Sequence, residues 1–114
     1  MNILRITMHV RQEKQKELML TLLSLIKPSG KEKGCLSYAV FCDIGDKNIF
    51  NLISEWNTRK VLENHIKTDR FGVMLGTGSL LREPMSIQIH TVSDSEGSEM
   101  VNVLRSKSTL ILSV

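Results

Sequence analysis

The side chains able to do chemistry in this 114-residue sequence are few: three histidines, two cysteines, one tryptophan and scattered carboxylates. His65 is the first of them. The run Val61-Leu62-Glu63-Asn64-His65-Ile66 has helical spacing, which puts His65 a turn after Val61 and beside an apolar stripe. An imidazole there titrates near neutrality and can take a proton from a phenol. A histidine kept only for packing would instead hydrogen-bond the sheet or a neighbouring helix. Trp56 ends an alternating stretch on the same side as Phe50 and Leu52. It suits the core, with a partner needed for its indole N–H, and it equally suits the wall of a pocket for an aromatic ligand. Asn51, Ile53 and Glu55 take the other side of that stretch. Asn51 can hold a substrate oxygen or face a second sheet. Glu55 suits an ion pair with Arg5, and a carboxylate near a histidine can also orient it.

The remaining candidates point to less. His9 and His90 fall on strands expected to lie antiparallel side by side, toward opposite ends, and with His65 they lack ligand spacing, so no metal site is expected. Cys35 and Cys42 lie an odd number of residues apart in one strand. That spacing puts them on opposite faces, where they cannot bridge each other. Gly76-Thr77-Gly78 is followed by Leu81 where a dinucleotide fingerprint needs glycine. Met8, Met19, Met74 and Met85 read as adaptable core.

Bulk properties exclude several classes. The net charge is +3, with one modest basic cluster at Lys27, Lys31 and Lys33. A nucleic-acid binder would carry a denser basic stripe with stacking aromatics, so none is expected as a partner. No run approaches the ~18 apolar residues of a membrane span. The opening MNILRITMHV lacks the apolar run and cleavage site of a secretory signal, and a reducing cytoplasm is the expected compartment.

The elements that must position these groups follow from periodicity. Residues 2–10 alternate, with Leu4, Ile6, Met8 and Val10 on one side and Ile3, Arg5, Thr7 and His9 on the other. Residues 12–27 switch to helical period through Leu18, Leu22, Leu25 and Ile26, with Met19 and Leu23 beside them, and Pro28-Ser29-Gly30 stops the helix. Strands are expected over 35–43 and 48–56, joined at Gly45-Asp46. A helix capped by Asn57 or Thr58 follows, and a second stretch restarts at Thr68 or Asp69 and ends at Pro84. A fourth strand covers 85–92. The order is βαββαβ, an α+β ferredoxin-like sandwich with an antiparallel sheet in the order 4-1-3-2. Residues 1–93 form the domain and 94–114 an extension. The extension is expected as a helix over 100–107 and then an edge strand, because Leu110, Ile111, Leu112 and Val114 are too apolar for water. A two-fold partner could close the helix-free sheet face into a dimeric αβ-barrel.

Order and spacing together carry a resemblance. Gly34-Cys35-Leu36-Ser37-Tyr38-Ala39-Val40, then Asp43 and a turn, then Ser54-Glu55-Trp56, Val61-Leu62-Glu63-Asn64-His65 and Phe71, resemble the pattern of the antibiotic-biosynthesis-monooxygenase family. The resemblance covers about residues 2–92. It implies a homodimer of ferredoxin-like subunits with a pocket between helices and sheet. It also implies an oxygenase of small hydroquinones or polyphenols that works without metal, flavin or haem, so no cofactor is expected. His65 would then be catalytic, with Trp56, Asn51, Glu55 and Phe71 binding the substrate. The pattern departs from the polyketide-oxygenating members at Leu52 and Leu62, where they carry Asn and Tyr, and from the haem-degrading members at His65 and Leu75. The quinol-oxygenating branch, through Glu55, Trp56 and His65, is the nearest match. Relatives include isomerases, and a non-enzymatic ligand-binding module is the alternative from another class.

Overall fold

The computed structural model describes the backbone of residues 1–112 and the side chains of residues 1–107. Four strands, β1 (Asn2–His9), β2 (Cys35–Cys42), β3 (Ile49–Trp56) and β4 (Ser86–Thr91), form one antiparallel sheet in the order β2-β3-β1-β4. Helices α1 (Gln15–Gly30), α2 (Arg59–Ile66) and α3 (Asp69–Gly76) accompany it. This is the expected α+β ferredoxin-like arrangement.

Alternation in the sequence becomes two sheet faces. Leu4, Ile6 and Met8 of β1 and Phe50, Leu52 and Trp56 of β3 are buried, as are Leu18, Leu22 and Leu25 of α1 and Leu62 of α2. Each such side chain contributes roughly 1.5–3 kcal/mol on leaving water. Met19 and Leu23, beside the α1 stripe, stay exposed. The helix continues past the expected stop, with Pro28 inside its last turn. Proline there has no N–H for the helical hydrogen bond, and the helix ends two residues later at Gly30.

β2 departs from simple alternation. Cys35 stands opposite Trp56 but Ser37 stands opposite Glu55, so Leu36 is an extra residue in a β-bulge. The bulge turns Cys35 to the same face as Tyr38 and Val40, and all three pack on the core. It overturns the expectation that Cys35 and Cys42 face opposite ways: Cys42 pairs with buried Phe50, on that same side. Both thiols are free, and the length of the strand separates them.

The extension forms α4 (Ser98–Leu112). The edge strand expected after residue 107 is therefore corrected to helix for Leu110, Ile111 and Leu112, while Val114 lies outside the described residues. The local sequence continues the helical run of 98–107 without a breaker. Met100, Val101, Val103 and Leu104 of α4 are exposed. The radius of gyration is 17.9 Å, against about 13 Å for a compact chain of this length, as expected where a helix stands off the sheet domain. Among the described residues, no helix is long and apolar enough to cross a membrane.

Candidate functional site

The candidate site is assembled where β3 turns into α2. Only Asn57 and Thr58 separate Trp56 from α2, and the Thr58 hydroxyl accepts the Val61 N–H at 3.2 Å to start the helix. One turn later His65 reaches back over Trp56. The two rings stack with centroids 4.3 Å apart and planes 25° from parallel. The indole N–H donates to the Ser54 hydroxyl at 2.9 Å, within the buried layer.

Thr68 joins α2 to α3. Its hydroxyl donates to the His65 carbonyl at 2.7 Å and accepts the Phe71 N–H at 3.2 Å. That double use fixes Phe71 edge-on to His65, at 5.4 Å between centroids. Tyr38 of β2 closes a further side at 6.0 Å, also edge-on. Three aromatic rings thus surround one imidazole, which is only 2% exposed.

The polar partner of that imidazole is Glu32, a residue that sequence reasoning missed. Its Oε2 lies 2.9 Å from His65 Nδ1, and its side chain is 12% exposed. The Arg70 guanidinium approaches the same oxygen at 3.4 Å. Glu32 sits in the turn after α1, where its N–H donates to the Ser29 carbonyl and its own carbonyl accepts the Cys35 N–H. The turn closes at Gly34, with φ +82°, a conformation that favours glycine. A Cβ at Gly34 would lie 2.5 Å from Val61 Cγ1.

Burial shapes the electrostatics. It pulls the His65 imidazole below its ordinary value, and the hydrogen bond accepted by Glu32 opposes that shift. Burial likewise raises the Tyr38 phenol and the Cys35 thiol, and the nearby Glu32 charge adds to both shifts. At neutral pH the site therefore presents a neutral imidazole, an un-ionised phenol and a protonated thiol.

The structure brings together three of the residues expected from sequence, His65, Trp56 and Phe71. Asn51 and Glu55 are elsewhere, on the helix-free face of the sheet. Asn51 Oδ1 accepts from the Thr7 hydroxyl at 2.7 Å, and Glu55 accepts from the Ser37 hydroxyl. Because side chains alternate along a strand, neither can reach a ligand held against Trp56. The expected Arg5–Glu55 ion pair is also absent among the described residues: Arg5 stands opposite Ile53 and Gln88. His9 pairs instead with Glu83 at 2.8 Å. A surface hollow of about 370 Å³ lies at the foot of α4, lined by Ser95, Glu96, Gly97, Glu99, Met100 and Val103. It shares no residue with the His65 cluster.

The family model for antibiotic biosynthesis monooxygenase matches residues 1–75, which span both β3 and the His65 cluster. The chain belongs to that family. Two curated relatives align over 88 residues, 76% of this chain. An uncharacterised protein of Synechocystis sp. is 28% identical, and the match covers 60% of its length. The chain thus spans less than two-thirds of that relative. YcnE of Bacillus subtilis, provisionally named a monooxygenase, is 27% identical over 93% of its length. Among solved structures, PA3566 of Pseudomonas aeruginosa superposes with a TM-score of 0.72 at 28% identity, covering 82% of this chain and 94% of that one. The chain shares its fold with that structure, and both β4 and α4 lie outside the residues that the family model matches.

Proposed function

We propose that this antibiotic-biosynthesis-monooxygenase domain oxidises a small hydroquinone or polyphenol with O2, using His65 as the base that takes the phenolic proton. The observation that carries the reading is a carboxylate-partnered imidazole inside a box of aromatic rings. Such a box suits a flat, electron-rich ring, and a neutral imidazole can accept its proton. The phenolate then supplies the electrons. For a naphthohydroquinone with an open ring position, one oxygen atom stays on the ring as a hydroxyquinone. The other leaves as water with two hydrogens from the substrate. Trp56 and Phe71 would bind the ring. Asn51 and Glu55 are no longer candidates for that contact, since they face away from it.

Entry needs movement, because His65 is closed over. The same closure favours a second reading, a non-enzymatic ligand-binding module in which His65 locks α2 to the sheet. Oxygen uptake with naphthohydroquinones and catechols separates them, with heat-killed protein controlling for autoxidation. Protein-dependent uptake with a hydroxylated product is expected, and His65→Ala should lower it far beyond any loss of stability. Equilibrium binding of the same compounds without uptake would favour the binding module.

We further propose a homodimer through the helix-free sheet face. Ile3, Thr7, Ala39, Asn51, Ile53 and Glu55 there are half-buried within a single chain, and Phe41 is exposed. A second sheet laid on this mixed surface would complete a barrel. Light scattering at micromolar concentration should give twice the chain mass, and a monomer would remove the barrel.

A further inference from the structure

We propose that Glu32 is a positioning residue for His65: its carboxylate accepts the Nδ1–H, holds the neutral ring in that tautomer and leaves Nε2 as the basic nitrogen, while Arg70 anchors the carboxylate. The proposal rests on the reading of His65 as a base, but its geometry does not.

An ionised carboxylate only accepts hydrogen bonds. At 2.9 Å from Glu32 Oε2, the Nδ1 of a neutral ring must therefore carry the hydrogen. The lone pair is then on Nε2, and the ring presents one nitrogen as base because another group has claimed the other. Glu32 is well placed to hold this arrangement. Its backbone is tied to Ser29 on one side and to Cys35 on the other, and Arg70 Nη2 sits 3.4 Å from the same oxygen. The charged and titratable groups facing the imidazole are Glu32 from the α1–β2 turn, Arg70 from α3 and Tyr38 from β2, with Cys35 next to Glu32. Trp56 and Phe71 complete the surround and do not ionise in this range. Glu55, the carboxylate suggested by sequence, is on the opposite face of the sheet and cannot serve.

The two charged partners act on His65 in opposite directions, which gives the proposal a distinctive signature. Ring nitrogen and carbon shifts of the three histidines, followed by NMR across pH in the full chain, read the tautomer and the titration directly. The wild type should show the Nδ1–H tautomer when neutral. Glu32→Gln should lower the His65 pKa, as loss of an adjacent opposite charge does. Arg70→Gln should raise it. A ring held only by packing would show neither displacement. An Nε2–H tautomer in the wild type, or a titration unmoved by Glu32→Gln, would overturn the assignment. Should Glu32→Gln fail to fold, the wild-type tautomer and the Arg70→Gln shift decide alone. No substrate is needed. A chain that consumes no oxygen yet shows these shifts would lose the monooxygenase reading and keep Glu32 in this role.

Discussion

His65 occupies a place where two influences oppose each other. Burial favours the neutral ring and Glu32 favours the charged one, with burial the stronger. The folded chain therefore holds fewer protons than the unfolded chain just below the ordinary imidazole value of 6.5. Stability contributed by His65 is present above that pH and is lost as the pH falls toward the lower folded-state value. Urea midpoints should drop across this window in the wild type, and His65→Gln should flatten the drop. A midpoint that rises on acidification would reverse the sign of the shift. Trp56 offers a second test. Trp56→Phe keeps an aromatic stack but strands the hydroxyl of Ser54, a residue with no exposed surface. A loss of about 1–3 kcal/mol in unfolding free energy is expected for a buried polar group left unpaired. No loss would mean that the hydroxyl finds another partner. At this scale the sequence revealed half the site. The helical spacing of His65 and the alternation through Trp56 were readable. Glu32 was not, because it lies 33 residues from His65 in a turn that no period describes.

Helices and strands were legible where the pattern was regular and failed where one residue broke it. The sheet order followed from faces that needed cover, and Thr58 and Thr68 proved to be the caps among the alternatives. The bulge at Leu36 left no periodic trace, since a single inserted residue only shifts phase. Its effect is testable through the thiols. Cys42 is exposed, whereas Cys35 is partly buried against the core and its thiol is pushed up by burial and by Glu32. A thiol reagent at mildly alkaline pH should label Cys42 quickly and Cys35 slowly, and both at similar rates after unfolding. Equal rates in the folded chain would place Cys35 outside the core. Deleting Leu36 should return the strand to plain alternation with Cys35 still opposite Trp56, so its slow labelling should persist.

For the whole molecule, the division is between a packed sheet domain and a helix that covers none of its core. The buried apolar set runs from Leu4 to Leu81, and the described apolar side chains of α4 are exposed. Truncation after residue 93 should therefore leave the thermal midpoint of the domain within a few degrees, measured by calorimetry at equal concentration. A collapse of the midpoint would make residues 94–114 part of the core. If α4 also reaches a partner subunit, removing residues 108–114 should weaken association without changing the fold of the rest, and unchanged association would end that idea.

Gly34 has a part in this arrangement out of proportion to its size. It lies two residues beyond Glu32 and against Val61, one turn before His65. A single methyl group at residue 34 would be a wedge under the first turn of α2. Levered outward, that helix would carry its imidazole off the carboxylate while every functional side chain stayed intact. A variant such as Gly34→Ala would then look like the loss of a base, although residue 34 has no group that could touch a substrate. The bare backbone at that position sets the clearance on which the pairing of two distant segments depends.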